Sequence, residues 1–261
     1  MEKDKLNSVE ETKIQKNKEP EAPRPFSSPE QFYDCKIDDF PRASKALIKI
    51  VEAILFVFAK LWTRYEVYGI EHLEKLPDEE GFIFVANHSS MLDPVFLALL
   101  TDFSPKVRRH LPRFMFKSEF TKSPLMHAIM ARAGAFPVKR DSADMKALKR
   151  AVKYLKRGED VGIFPEGTRH KNRSGKNKVY GGFALIAHMA HTKVVPIAIE
   201  GGWRLPYPRK IRIKIGKPLA FTDFPEALSK KEKLALMEEQ AMDAVYAMRD
   251  ELDSMHAHKK A

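Results

Sequence analysis

Hydrophobic and polar residues follow two alternating periodicities along this chain. Seven short runs are continuously apolar or alternate apolar with polar residues, which predicts strands at 64–68, 82–86, 113–116, 135–138, 161–164, 194–199 and 211–215. Apolar residues recur at helical spacing over 94–100, 124–132, 143–157, 182–190 and 230–252. Ser229 and Glu232 have the spacing of a capping box at the start of the last helix. This alternation predicts an α/β fold whose mixed, largely parallel sheet is flanked by helices on both faces.

Two strands carry more specific predictions. The strand 211–215 alternates apolar with basic residues, which is typical of a half-exposed strand. Pro196 interrupts the apolar strand 194–199, and a proline there indicates either an edge strand or the wall of a substrate site.

The segment 46–62 is the most apolar part of the chain. Its longest uninterrupted apolar run, 53–59, is far shorter than the roughly 20 residues of a spanning helix. Lys45, Lys49, Glu52 and Lys60 recur at helical spacing beside a broad apolar face, which predicts an amphipathic helix within 41–63. A helix facing the domain core would show the same pattern. We interpret the segment as a helix that lies in a membrane interface and does not span it.

Composition and charge narrow the class of protein. With 261 residues, of which 44% are hydrophobic, the chain can bury a sizeable core, which excludes wholesale disorder. The formal charge of +11 predicts anionic partners: a membrane surface, nucleic acid or phosphorylated substrates. A single cysteine, Cys35, excludes a disulfide framework and a multi-cysteine metal site. Residues 1–40 are polar and lack the apolar core of a signal peptide, so we expect a flexible tail ahead of the helix 41–63 and a domain over 64–261.

The first candidate site follows strand 82–86, where His88 and Asp93 stand five residues apart. Within a regular helix such residues diverge by about 140°, so the two side chains converge only if the chain turns between them. Asp93 and Pro94 have the residue types of an N-cap and a first helical position, which would supply that turn. The pair is then either a general base with its orienting carboxylate or a helix cap beside a polar loop residue.

Two further strand ends carry charged residues. Lys139 and Arg140 follow strand 135–138, where they suit a phosphate or form a solvated basic edge. After strand 161–164 the segment could bind a hydroxyl and a phosphate, or hold a local ion pair, and its glycine permits a positive φ. This last segment contains Glu166, Gly167, Thr168 and Arg169.

Taken in order, these segments resemble the motifs of the 1-acyl-sn-glycerol-3-phosphate acyltransferase (lysophosphatidic acid acyltransferase) family. Its first to fourth blocks are matched by NHSSMLD, GAFPVKR, FPEGTR and VVPIAI, and the segment after the first block by FMFKSEFTKSP. The similarity runs from about residue 65 to residue 216. Two departures, Pro137 for an apolar strand residue and Lys139 where the family often has Asp, put the acceptor pocket in question. The resemblance implies a glycerolipid acyltransferase-like catalytic domain preceded by membrane-associating helix.

The resemblance also implies an activity. The protein would transfer a fatty acyl group from an acyl thioester, acyl-CoA or acyl carrier protein, to the sn-2 hydroxyl of lysophosphatidic acid. The product would be phosphatidic acid, made in phospholipid biosynthesis at an anionic membrane, with the protein peripheral or monotopic on its cytoplasmic face. His88 would be the base and Asp93 its orienting group, with no cofactor, no metal and no acyl-enzyme on Ser89 or Cys35. The acceptor would be bound by Lys139, Arg140, Glu166, Gly167, Thr168 and Arg169.

Three other functions compete with this one. The same chemistry would serve glycerol-3-phosphate or another lyso-lipid as acceptor. A basic nucleic-acid-binding module is a remote alternative, because helix-turn-helix, zinc-spacing and aromatic RNA-binding signatures are missing from the sequence, and we expect no nucleic-acid partner. A hydrolase would show the G-x-S-x-G motif, which is also missing.

Overall fold

The computed structural model describes residues 26, 28–62, 64–102, 104–107, 109, 111–139, 144–169, 178–201 and 210–257. Seven strands in this part of the chain form one sheet, in the order β1-β7-β6-β2-β5-β3-β4. Each lies within one or two residues of its predicted bounds. They are β1 Glu66–Tyr68, β2 Ile83–Ala86, β3 Arg113–Lys117, β4 Phe136–Val138, β5 Val161–Ile163, β6 Val194–Glu200 and β7 Arg212–Ile215.

The sheet is mixed and largely parallel, as predicted. Strands β2 to β6 run in one direction, so they all end at one edge of the sheet, which we call the carboxyl edge. Strand β7 is antiparallel to β6, and β1 is parallel to β7. Because of this reversal, β1 begins at the carboxyl edge, where β2 ends.

Helices cover both faces of the sheet and bury a core on each. One core joins Tyr154, Phe183 and Val245 to alternate residues of β2, and the other joins Ala59 and Phe96 to the remaining ones. The longer predicted helices are all present. The helices are α1 Gln31–Asp34, α2 Arg42–Trp62, α3 Glu71–Glu74, α4 Asp93–Ala98, α5 Pro124–Arg132, α6 Met145–Lys156, α7 Gly182–Ala190 and α8 Lys230–Ala257, with 3-10 turns at Ile37–Asp39, Leu99–Asp102, Ser118–Lys122 and Phe221–Asp223.

Helix α2 has an inner side against the domain and an outer apolar side. Ile48, Leu55, Phe56 and Ala59 pack against the two cores, and Glu52 is also buried. None of the helices in the described residues is both long and apolar enough to cross a membrane. The outer side carries large exposed apolar residues, which we call the apolar stripe: Leu47, Ile50, Val51, Ile54, Val57, Phe58 and Leu61.

Residues 28–40, predicted as the end of a flexible tail, are folded onto the domain. Phe32 and Tyr33 of α1 are buried. The fully buried guanidinium of Arg113 donates to the carbonyl oxygens of Phe32 (3.2 Å) and Cys35 (2.7 Å). It also forms a 2.6 Å ion pair with Glu159, so these contacts anchor the segment that precedes α2. Residues 1–25 lie outside the described residues.

The prediction of a half-exposed strand at 211–215 is wrong for Arg212, which is 3% exposed. Its guanidinium lies 3.2 Å from the carboxylate of Glu66 and 3.8 Å from that of Glu200. Alternation of apolar and basic residues suggests solvent on one side, but β7 lies between β1 and β6, which supply the two carboxylates. A buried charge is tolerated when it is paired in this way.

The prediction that Pro196 marks an edge strand is also wrong, because β6 is paired on both sides, with β2 and β7. The Pro196 carbonyl accepts the N–H of Gly216 at 2.8 Å. In a strand, the nitrogen of a residue faces the same neighbour as its carbonyl. An N–H at Pro196 would therefore face β7 at a position after Ile215, where β7 has already ended, so the proline removes no hydrogen bond of the sheet.

Candidate active site

The loop that follows β2 folds back on itself, so that His88 and Asp93 meet. The His88 Nδ1 atom lies 2.9 Å from Asp93 Oδ2, and the same oxygen accepts the backbone N–H groups of Ser89 (2.6 Å) and Ser90 (2.7 Å). Asp93 is fully buried, whereas 14% of the His88 side chain is exposed. Because an ionised carboxylate can only accept hydrogen bonds, the His88 nitrogen that faces it carries the proton. The two side chains therefore converge, as their predicted pairing requires.

The way in which Asp93 brings the pair together differs from the prediction. Asp93 is the first residue of α4, with Leu92 as the N-cap and Pro94 in the first turn. Its carboxylate turns back to the N–H groups of Ser89 and Ser90 and does not cap the helix. The loop is thus built around the carboxylate, whose charge these donors stabilise.

Aromatic rings fix the plane of the His88 imidazole. Phe164, directly after β5, stacks on the imidazole with centroids 4.4 Å and planes 27° apart. Phe114 of β3 continues the stack, 6.1 Å from Phe164 at 17°. Gly162 of β5 pairs with Phe114, and a Cβ atom at Gly162 would overlap the Phe114 ring. The glycine therefore leaves the space that this ring fills.

Glu166, which follows the neighbouring strand β5, supports the His88 loop. It is 3% exposed, and its Oε2 atom accepts the backbone N–H of His88 at 2.9 Å. Its Oε1 atom accepts the hydroxyl of Tyr246, a residue of α8, at 3.1 Å. The structure therefore brings Glu166 to the backbone of His88, a contact that the sequence did not predict. Contact with a substrate hydroxyl stays a prediction.

The remaining residues of this loop lie beside the His88 loop, because β5 is next to β2 in the sheet. Gly167 has φ +64°, a backbone conformation that its glycine permits, and the ring of Tyr180 packs where a Cβ atom would lie. Thr168 and Arg169 follow and are exposed. Arg169 is therefore a cation at the carboxyl edge, one strand away from the histidine.

Lys139 also lies at the carboxyl edge but farther from His88. It follows β4, three strands from β2, so the two strand ends are about 14 Å apart at the usual strand spacing. Its backbone N–H donates to Asp144 at 2.9 Å. Burial alone would raise the pKa of Asp144. Backbone hydrogen bonds from Lys139, Ala147 and Lys146 lower this pKa by more than burial raises it, so the pKa of Asp144 is below its usual value. Arg140 lies outside the described residues.

Sequence reasoning missed two buried residues that support the loop. Asn87 donates to the carbonyl of Ile199 at 2.9 Å and accepts its N–H at 2.8 Å, which ties the end of β2 to β6. A polar residue at the end of an apolar strand is a signal that could have found Asn87, since burying it unpaired is costly. Tyr246 lies in an apolar helical stripe and offers no such signal.

These side chains form a carboxylate-oriented histidine at the carboxyl edge of an α/β sheet, which is the arrangement of an enzyme with a general base. The second ring nitrogen of His88, Nε2, makes no hydrogen bond with any residue that the structure describes. Within those residues, no group of three or more His, Cys, Asp or Glu side chains is placed to hold a metal ion.

Comparison with known proteins identifies the class more closely. A family model described as Acyltransferase matches residues 64–200. The 1-acyl-sn-glycerol-3-phosphate acyltransferase of Bacillus subtilis (strain 168) is 31% identical over 185 residues, which are 70% of this chain and 88% of that protein. A chloroplastic 1-acyl-sn-glycerol-3-phosphate acyltransferase of Arabidopsis thaliana is 35% identical over 153 residues, 55% of this chain and 40% of that protein.

A solved structure supports the same conclusion. The crystal structure of a 1-acyl-sn-glycerophosphate (LPA) acyltransferase from Thermotoga maritima superposes with a TM-score of 0.58 and 25% identity, covering 85% of this chain and 87% of that one. The chain belongs to the acyltransferase family. The protein is therefore an acyltransferase whose matched region contains His88, Asp93 and Glu166.

Proposed function

We propose that this acyltransferase moves a fatty acyl group from an acyl thioester to the sn-2 hydroxyl of lysophosphatidic acid, which yields phosphatidic acid in phospholipid biosynthesis. The observation that carries the proposal is the His88–Asp93 hydrogen bond of 2.9 Å, formed in a member of this family. Relatives named as acyltransferases of 1-acyl-sn-glycerol-3-phosphate support the choice of acceptor.

The hydrogen bond determines which nitrogen acts as the base. With Nδ1 protonated and facing Asp93, the lone pair of His88 resides on Nε2, on the other side of the ring. The buried carboxylate stabilises the imidazolium that forms when Nε2 takes a proton, as in a Ser-His-Asp triad. Here the substrate supplies the hydroxyl.

In the proposed reaction, Nε2 of His88 accepts the proton of the sn-2 hydroxyl while its oxygen bonds to the thioester carbonyl carbon. The carbon–sulfur bond then breaks, and the departing thiolate takes the proton back from the imidazolium. Acyl-CoA and acyl carrier protein both supply such a thioester. No protein nucleophile is needed, and Ser89 fits this, because its hydroxyl makes no hydrogen bond within the described residues.

For the acceptor phosphate, Arg169 is a stronger candidate than Lys139. It is exposed on the loop next to His88, whereas Lys139 lies three strands from β2. An arginine also binds phosphate through two parallel hydrogen bonds. We propose Arg169 and Arg140 as the phosphate ligands, with Lys139 as a helper and Gly167 and Thr168 as backbone contacts.

We also propose that α2 lies in the interface of an anionic membrane. Its apolar stripe faces away from the domain, and Leu61 is 80% exposed. The helix ends at Trp62, shortly before β1 begins at the carboxyl edge, so its end lies on the side of the sheet where the His88 loop emerges. The formal charge of +11 favours the anionic cytoplasmic leaflet.

The test is an assay of purified protein in detergent, with oleoyl-CoA or the acyl carrier protein thioester as donor. Lysophosphatidic acid and glycerol-3-phosphate are supplied in parallel, and the lipid products are identified by mass. We expect phosphatidic acid when lysophosphatidic acid is the acceptor, and no acylated product when glycerol-3-phosphate is the acceptor. His88→Ala should lose at least about 10²-fold in turnover, which is the usual contribution of a general base.

Ser89→Ala is the matched control, because it changes the neighbouring side chain and removes only a hydroxyl that makes no hydrogen bond to the part of the chain that the structure describes. This variant should retain wild-type turnover. A loss of turnover in Ser89→Ala would favour an acyl-enzyme formed on Ser89. Near-normal turnover of His88→Ala would refute the mechanism in which His88 is the general base. Acylation of glycerol-3-phosphate in place of lysophosphatidic acid would show that glycerol-3-phosphate is the acceptor. Release of free fatty acid when no acceptor is present would indicate a hydrolase.

A further inference from the structure

We propose that Tyr246 is a positioning residue for the catalytic histidine and that helix α8 thereby completes the active site. The inference rests on the catalytic role proposed for His88. Helix α8, Lys230–Ala257, lies wholly outside the region 64–200 that the family model matches. Its contribution is therefore additional to the motifs that define the family.

The connection consists of two hydrogen bonds through one carboxylate. The Tyr246 hydroxyl donates to Glu166 Oε1 at 3.1 Å, and Glu166 Oε2 accepts the backbone N–H of His88 at 2.9 Å. Tyr246 is 5% exposed and Glu166 3%, so both bonds lie in the interior. Hydrogen bonds to an ionised group are stronger in such surroundings, and a lost donor is correspondingly costly.

The His88 N–H is a sensitive point at which to fix the base. Asp93 holds the imidazole through Nδ1, and Phe164 holds its plane by stacking. Neither contact fixes the backbone of His88, which moves the whole ring when it shifts. Asn87 and the Ser89 N–H tie down the residues on either side of His88. The Glu166 carboxylate restrains the His88 N–H itself, and Tyr246 helps to hold that carboxylate in place.

Helix α8 presents Tyr246 because its buried side chains recur at helical spacing. Met237, Ala241 and Val245 are fully buried in the core that α8 shares with β2 and β6. Tyr246 follows Val245 directly, and the guanidinium of Arg249 lies 4.8 Å from the centre of its ring. The helix is therefore held firmly enough for its tyrosine to position another residue.

Tyr246→Phe tests the proposal, since it removes the hydroxyl and keeps the ring. We expect kcat with lysophosphatidic acid and oleoyl-CoA to fall about tenfold, equivalent to about 1.4 kcal/mol, with both KM values within about twofold of wild type. The matched control is Tyr154→Phe, because the Tyr154 hydroxyl is also buried and donates to a carbonyl, that of Tyr33, at 2.8 Å. This control should keep wild-type kcat.

A second readout reports on His88 without turnover. In protein labelled with ¹⁵N-histidine, the backbone amide resonance of His88 should shift in Tyr246→Phe and stay in place in Tyr154→Phe. An unchanged kcat overturns the proposal, and so does a reduced kcat with an unshifted His88 amide. If wild type forms no phosphatidic acid, the proposed function fails, while the amide shift still decides whether Tyr246 positions His88.

Discussion

Gly162→Ala should disturb His88, the proposed base, without touching it. The added Cβ atom would lie 2.5 Å from Cδ1 of the Phe114 ring and closer still to Cε1. Carbon atoms pack favourably at about 3.5–4.0 Å, so the ring must move by at least about 1 Å. Phe114 stacks on Phe164, which stacks on the imidazole of His88. The displacement is therefore passed along the rings to the base.

Two magnitudes follow from this geometry. Overpacking a well-filled core costs about 1–3 kcal/mol, so we expect the free energy of unfolding to fall by that amount. A misplacement of about 1 Å at a reacting group can cost about 10²-fold, so we expect kcat to fall about 10- to 100-fold. The KM values should change less, because the new methyl group meets the Phe114 ring and Gly162 is not one of the proposed substrate contacts.

Urea unfolding and initial rates of thioester cleavage with lysophosphatidic acid measure both effects. Gly182→Ala is the matched control, because a Cβ atom there meets no atom of the described residues within 4 Å. It should leave kcat unchanged and should not lower the free energy of unfolding, since alanine suits a helical position better than glycine. Adding Phe114→Leu to Gly162→Ala should restore stability and most of kcat by making room. Wild-type stability and kcat in Gly162→Ala would refute the reasoning that the ring stack holds the imidazole.

Three further predictions concern the acceptor, a helix cap and the membrane. Arg169→Ala should raise the KM for lysophosphatidic acid at least about tenfold with a smaller effect on kcat, because it removes the proposed bidentate phosphate ligand; an unchanged KM in acceptor titrations would exclude Arg169 from the site. Asp144→Ala should lower the free energy of unfolding by about 1 kcal/mol, because Asp144 accepts the N–H groups at the start of α6. The folded-state pKa of Asp144 is lowered from 3.8, so in urea titrations this loss should be complete above about pH 5 and shrink as the pH falls below 3.8; a pH-independent loss would contradict it. Ile54→Ser with Leu61→Ser should weaken binding to anionic vesicles about tenfold or more in sedimentation assays, since both side chains are more than half exposed on α2; equal binding would remove the apolar stripe from the interface.

Periodicity was a sufficient guide to the strands and longer helices of this fold, but it did not predict the four-residue helices α1 and α3. The strands were predictable because most are buried apolar runs bounded by turns, and helices α5 and α7 were predicted residue for residue. The predicted capping box of α8 is confirmed, since Ser229 and Glu232 exchange hydrogen bonds. Each of these features depends on neighbours in the sequence.

Features that depend on strand order were not predictable. Lys139 and Arg169 look equivalent in the sequence, since each follows a strand, but β4 and β5 lie at different distances from β2. Arg212 looks exposed until β1 and β6 are placed on either side of it. In both cases the chemistry of the residue was clear, and what was missing was the identity of the neighbouring strand.

Contacts in the candidate active site also divide into those between residues close in the sequence, which were predictable, and those between distant residues, which were not. His88 and Asp93 are five residues apart, so their pairing requires only a local turn, and their spacing predicts it. The support of Glu166 reaches His88 across 78 residues, and that of Tyr246 reaches Glu166 across 80. Within the FPEGTR segment, the carboxylate therefore turns inward to the base while Arg169 remains exposed to solvent. One motif thus faces two ways, because Glu166 is bonded to the backbone of His88 in the interior and Arg169 is exposed, as its proposed role in phosphate binding requires.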